Sequence, residues 1–210
     1  MVKILYNDNE FAVCVKPVGI ASQNNGLNDM VQLLSKQLET EIYPVHRLDT
    51  ATGGVMVFAK NKKSAAKLSS IIANNGLAKK YLAVVQGCPD SKEGVYTDLL
   101  FKDSAKNKSY VVKRQRKGVK QASLEYRVIA EKENKSLVEI MLHTGRTHQI
   151  RVQFSSRKMP LLGDGKYGSR EKCGLALWSR SIEFDYDGKH MCFTEEPDKS
   201  VYPWNDFINI

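Results

Sequence analysis

The residues best suited to chemistry fall in two short stretches. In "YPVHRLDTATGGVMVFAK", residues 43–60, Asp49 stands behind a basic His46-Arg47 pair and ahead of a Gly-Gly turn and an apolar run. An arginine beside a buried aspartate holds it ionised, through its opposite charge and through charge-assisted hydrogen bonds. An ionised, oriented carboxylate is a usable nucleophile, although the same pattern also serves as a structural ion pair. In "LHTGRTHQIRVQF", residues 142–154, Thr147 is placed to cap a helix whose first turns carry His148 and Arg151, with Ile150 and Phe154 packing inward. A helix start also presents free N–H groups to an anion.

Other chemistries fit less well. His46, Asp49, His143 and His148 are ligand types that suit zinc or iron. Arg47 and Arg146 would oppose a dication, and the H-x-x-x-x-H spacing matches no common helical ligand pair, so hydrogen-bonded histidines are the preferred reading and no metal is expected. "GDGKYG" (163–168) has the form G-x-G-x-x-G but leads into "SREK" rather than a clear helix, which makes it a turn and not a dinucleotide fingerprint. There is no G-x-S-x-G elbow and no Cys-centred signature for a serine or thiol nucleophile.

The elements that must position these residues can be read from periodicity and punctuation. "EFAVCVKPVGIAS" is a strand broken by Pro17 and Gly19, which places Lys16 at a strand end. "LNDMVQLLSKQLE" carries a helical apolar stripe behind Asn28 as N-cap; "GGVMVFAK" is a buried strand; "KKSAAKLSSIIANNG" is a helix closed by Gly76. "KKYLAVVQG" is a strand with Tyr81 at its entrance, and "ASLEYRVIAEKENKSLVEIMLHTG" is a hairpin turning at Glu133-Asn134-Lys135. Two strands in direct succession argue against regular βαβ alternation and for an α+β fold with a mixed, largely antiparallel sheet flanked by helices. No repeat or long linker divides the chain, so residues 1–210 are expected to form one domain.

Charge narrows the class of partner. The 210 residues carry 32 Lys+Arg against 23 Asp+Glu, a formal +9 that attracts polyanions. Most of the excess lies in "KDSAKNKSYVVKRQRKGVK", residues 102–120, where Asp103 is the single acid. Such a block is either a solvated mobile loop or a nucleic-acid contact, and Tyr110 within it, able to stack on a base, tilts the reading towards RNA or single-stranded nucleic acid. The four cysteines are scattered without metal or disulfide-scaffold spacing, there is no signal-peptide pattern, and no run approaches a membrane span. A cytoplasmic chain with reduced thiols and no membrane partner is expected.

Three ordered segments resemble the RluA-type pseudouridine synthases. "VCVKPVGIAS" (13–22) resembles that family's Lys-Pro motif, "HRLDTATGGVMVFAK" (46–60) its H-R-L-D motif, and "TGRTHQIRVQF" (144–154) with "PLLGD" (160–164) its third motif. The resemblance implies a cofactor-free enzyme that isomerises uridines of ribosomal or transfer RNA, exchanging the N1–C1′ link for C5–C1′. It makes Asp49 the catalytic carboxylate, acting on either C1′ or the base, Arg151 the arginine that pairs with it, and Tyr81 the tyrosine against the target base. Arg47 would help fill the space left by the flipped nucleotide, and His46, Arg146, Thr147, His148, Ile150 and Lys16, all within the matching motifs, would contact substrate. Gln153, Met159 and Trp178-Ser179 depart from the family's usual residues without touching the proposed Asp, Tyr or Arg. A single catalytic domain without a separate N-terminal RNA-binding domain is expected, acting as a monomer; the rival reading is an RNA-binding or RNA-folding protein without turnover.

Overall fold

The computed structural model describes residues 1–23, 26 and 28–207. The chain packs as two compact units, one of residues 1–79 and 178–197, the other of 80–177 and 198–210.

In the first unit, β1 (Lys3–Asn7), β2 (Phe11–Lys16) and β4 (Gly53–Ala59) pair antiparallel in that order, and the short β3 (Tyr43–Pro44) also pairs with β4. β10 (Leu177–Tyr186) runs parallel to the start of β4 and carries β11 (Lys189–Thr194) antiparallel on its far side. Alternate residues of three strands share one face, as the two-residue pleat requires: Phe11 and Val13, Val55 and Val57, Ile182 and Phe184. Leu68 of α2 (Lys62–Ala73) joins that cluster. β4 is buried at every position, which explains its unbroken apolar run.

The helix boundaries differ from the sequence reading in detail. α1 (Met30–Leu38) is capped by Asp29, which accepts from the Gln32 N–H, while Asn28 takes a left-handed backbone one residue earlier. Asn61 caps α2 through Ser64, and at its far end Asn75, not Gly76, takes the left-handed position. Gly76 is needed for space: a Cβ there would lie 3.1 Å from the Ile71 carbonyl oxygen and side chain.

The Gly53-Gly54 pair also has a cause outside its own segment. It opens β4 rather than forming a turn, because Trp178 and Ser179 of β10 lie directly alongside. A Cβ on Gly53 would sit 2.4 Å from the Trp178 ring, and one on Gly54, whose φ is +116°, 2.2 Å from the Ser179 carbonyl oxygen. Gly54→Ala is therefore expected to lower stability by about 2–4 kcal/mol, combining backbone strain with overpacking. A urea midpoint equal to that of the parent would contradict this account of the pair.

The second unit is an antiparallel sheet in the order β5 (Ala78–Gln86), β9 (Lys135–Leu142), β8 (Val119–Lys132), β6 (Glu93–Asp103), β7 (Lys108–Val112). Glu133 and Asn134, both left-handed, make the two-residue turn between β8 and β9. The basic stretch 102–120 is only partly a loop, its residues 113–118 being exposed and outside any strand. Its first half is the β6–β7 hairpin, in register from Asp103↔Lys108 to Leu99↔Val112. Val111 packs against Leu100, Ala122, Val152 and Tyr167, an apolar anchor that the surrounding charges hide in the sequence. α3 (Gln149–Ser155) has all but its last residue buried and packs against β6 and β7. Within each unit every pairing is antiparallel except β4–β10, which agrees with the α+β, mostly antiparallel expectation.

Candidate active site

Asp49 lies half-buried on the segment joining β3 to β4, and its backbone is fixed from several sides. The Ser22 hydroxyl accepts from the Leu48 N–H at 3.0 Å and donates to the Leu48 carbonyl at 2.9 Å. The Leu48 side chain is buried, and the Thr52 N–H closes a turn onto the Asp49 carbonyl at 2.9 Å. The Thr50 carbonyl accepts from the Gly19 N–H at 2.8 Å and from Lys16 Nζ at 3.2 Å. Such a frame fixes the place from which the Asp49 side chain projects.

Lys16 is tied into the fold on every donor. It ends β2, as expected, but its side chain is wholly buried and Nζ also donates to the carbonyls of Pro17 and Ile20, at 2.9 and 2.5 Å. All three of its donors are spent on backbone, so Lys16 fastens the 17–20 turn to the Asp49–Thr50 segment. Burial lowers its pKa to about 8, and the negative charge of Asp49 opposes that shift.

His46 is likewise turned towards the fold. Its Nε2 accepts from the Val57 N–H of β4 at 3.1 Å. Burial, with a smaller contribution from the Lys79 charge, lowers its pKa to about 3, so the ring is neutral at physiological pH, as an acceptor nitrogen requires. Arg47, next in the chain, is exposed.

In the second unit, Tyr81 is buried in β5 opposite Ile140 of β9. It is the fourth residue of the strand, not at its entrance. Arg151 projects from α3, is 8% exposed, and grips Asp164 with two parallel bonds, Nε to Oδ2 at 2.7 Å and Nη2 to Oδ1 at 2.8 Å. Its guanidinium also lies 5.0 Å from the centroid of the Tyr167 ring. The Tyr167 hydroxyl in turn accepts from the Ser109 N–H at 2.8 Å and bonds His148 Nδ1 at 3.0 Å. Two of the residues that set the direction of Arg151 were thus assigned no role in the sequence. Asp164 was only the last letter of "PLLGD", and Tyr167 lay inside a stretch read as a turn, which is indeed a short 3-10 segment, Gly165–Tyr167. The available signal was an acid directly behind an apolar run, since a carboxylate buried there must find a cation.

The turn before α3 is built differently from the expected Thr cap. His148 occupies the cap position with a left-handed backbone, φ 54°, and its side chain makes no cap bond. The Thr147 carbonyl accepts from the Ser109 hydroxyl at 2.7 Å. Order comes from Gln149, whose side-chain oxygen accepts from the Thr144 hydroxyl (2.7 Å) and the Arg146 N–H (3.0 Å) while its nitrogen donates to the Ser123 carbonyl (3.0 Å). Arg146 is exposed, with Nε on the Gln121 carbonyl at 3.0 Å, and Ile150 is buried in the inward direction its spacing implied.

Residues 10–156 match the family model described as RNA pseudouridylate synthase. Among curated proteins, the chain is 30% identical to an uncharacterized RNA pseudouridine synthase of Mycoplasma pneumoniae, over 99% of this chain and 70% of that protein. It is 32% identical to the ribosomal large subunit pseudouridine synthase D of Zymomonas mobilis, over 90% of this chain and 62% of that one. Among solved structures, human RNA pseudouridylate synthase domain containing 4 superposes with a TM-score of 0.80 at 25% identity, covering 93% of this chain and 89% of its own.

Proposed function

The chain belongs to the RNA pseudouridylate synthase family, and from that premise we propose that it isomerises uridines of ribosomal RNA, with Asp49 as the catalytic carboxylate. It is an isomerase acting on RNA. The observation that carries the site assignment is the H-R-L-D segment, whose Asp49 is borne on a backbone fixed by Ser22 and Lys16. Ribosomal RNA is favoured by the name of the Zymomonas relative, and transfer RNA is the other class to be tested.

The reaction rearranges one nucleotide. The N1–C1′ bond breaks, the uracil turns, C5 bonds to C1′, C5 loses its proton, and N1 gains one, so the product is an isomer and no redox partner is consumed. Asp49 engages the nucleoside while base and ribose are detached. Tyr81 packs against the target base and takes part in moving the C5 proton; Arg151, aimed by Asp164 and Tyr167, supports the anionic state of Asp49. Arg47, exposed beside the catalytic segment, occupies the place the nucleotide vacates. Extruding the uridine costs a few kcal/mol, least in a loop or mismatch, and phosphate contacts elsewhere offset that cost.

Because the C5 hydrogen must leave, ribosomal RNA transcripts carrying 5-tritiated uridine are expected to release tritium to water when incubated with the protein alone. Binding of the same transcripts with no tritium released would favour an RNA-binding protein without turnover. Substituting Ser for Lys106, Lys113, Arg114 and Lys117, all exposed, is expected to weaken RNA binding about tenfold or more. The slope of log affinity against log salt should flatten by roughly 0.7–0.9 per lost phosphate contact. An unchanged slope would leave the stretch as a solvated surface.

A further inference from the structure

A polar concavity opens within the 80–177 segment. It has a volume of about 570 Å³, within the size range of small-molecule sites, and its lining includes Gln86, Asn134, Ser155, Lys158, Tyr167 and Arg170. Two cations and two carboxamides line it, and among the described residues that do so none is an acid. Polar groups form the larger share of the lining, with Pro160 and the Tyr167 ring as its apolar part, which fits a charged, hydrogen-bonding guest better than a hydrophobic one.

Lys158 adds an independent observation. It ends the turn after α3 with its N–H on the Ser155 carbonyl at 3.0 Å and a left-handed φ of 63°. Helices stop in this conformation most cheaply with glycine, sometimes with asparagine, because a Cβ is strained there. A lysine at such a position, lining the cleft, costs stability that a glycine would not. Residues held in sparsely populated backbone regions concentrate at functional sites. Tyr167 lines the same cleft while its ring lies under the Arg151 guanidinium, so the cleft adjoins the group that orients that arginine.

We infer that this cleft holds one nucleotide of the substrate RNA other than the target uridine, with its phosphate on Lys158 and Arg170. The carboxamides of Gln86 and Asn134, able to donate and accept, meet its base or sugar. The inference rests on the RNA-modifying reading and names where a flanking nucleotide is held. A cation pair contacting phosphate carries no sequence information by itself but fixes the register of the strand, which decides which uridine is presented.

The test uses the full-length protein and fluorescein-labelled single-stranded oligouridylate, with affinity read by anisotropy across a salt series. Lys158→Gly is expected to weaken binding about three- to tenfold, and adding Arg170→Ser should reduce the salt slope by roughly 1.4 in total, for two lost contacts to a single strand. Lys158→Gly should melt at the parent's temperature or higher, because the strained backbone is relieved, and Lys158→Arg should bind like the parent. Unchanged affinity and slope in the double variant would overturn the inference, as would a Lys158→Gly protein that loses stability together with affinity. Failure of the parent to bind the oligonucleotide would overturn it too. Tritium release by the parent on ribosomal RNA is followed in parallel: its absence counts against the enzymatic reading, whereas its presence with unaltered binding by the variants counts against the cleft alone.

Discussion

Asp49→Ala is expected to abolish pseudouridine formation, by about 10⁴-fold or more, while RNA affinity stays within about threefold of the parent. The separation follows from how the segment is held. Ser22, Lys16 and the Thr52 N–H bond to backbone atoms of Leu48, Asp49 and Thr50, so none of these bonds requires the Asp49 carboxylate. Removing the carboxylate deletes the proposed reactive group and leaves its platform standing. One local consequence is electrostatic: the negative charge of Asp49 raises the pKa of buried Lys16, so its loss pushes that lysine further down from about 8. Tritium release and filter binding measured on the same preparations check both halves. Turnover within tenfold of the parent would remove Asp49 from the chemistry.

Arg151→Met should cost both activity and stability, and the two losses can be separated. Asp164 is 2% exposed and accepts two short bonds from Arg151, so the single substitution leaves a buried carboxylate without its cation. Breaking a buried pair from one side costs about 3–5 kcal/mol, equivalent to a fall in Tm of about 10 °C in a chain of this size. Pairing Arg151→Met with Asp164→Leu removes both charges and should recover most of that stability. Activity should not return, because the proposed support of Asp49 by Arg151 is still missing. If the double variant regains turnover along with stability, Arg151 is a purely structural partner of Asp164. Thermal melts and single-turnover tritium release decide between the two.

The motif residues were legible in the sequence where their chemistry is local. The strand ending at Lys16, the buried strand that Gly53-Gly54 opens and the Glu133-Asn134 turn all follow from period and punctuation within a few residues. What escaped was set by contacts distant in the chain. Nothing near Gly54 announces Ser179, 125 positions later, whose carbonyl forbids a side chain. Nothing near Arg151 announces that the Tyr167 ring and the Asp164 carboxylate will orient it. Lys16 and His46 were named from the motifs they lie in; their burial, visible only in the fold, makes one a fastener of three carbonyls and the other an acceptor for a strand N–H. The basic stretch 102–120 misled in the other direction, since one apolar anchor, Val111, is enough to seat a hairpin that its charge density hides.

The most direct test of the central claim is carbodiimide primer-stop mapping of pseudouridine in ribosomal and transfer RNA from cells lacking this gene, with the parent and the Asp49→Ala copy restored in parallel. The expected result is that one or a few positions in ribosomal RNA lose their pseudouridine and that only the parent copy restores them. An unchanged map, or full restoration by the Asp49→Ala copy, would contradict the account.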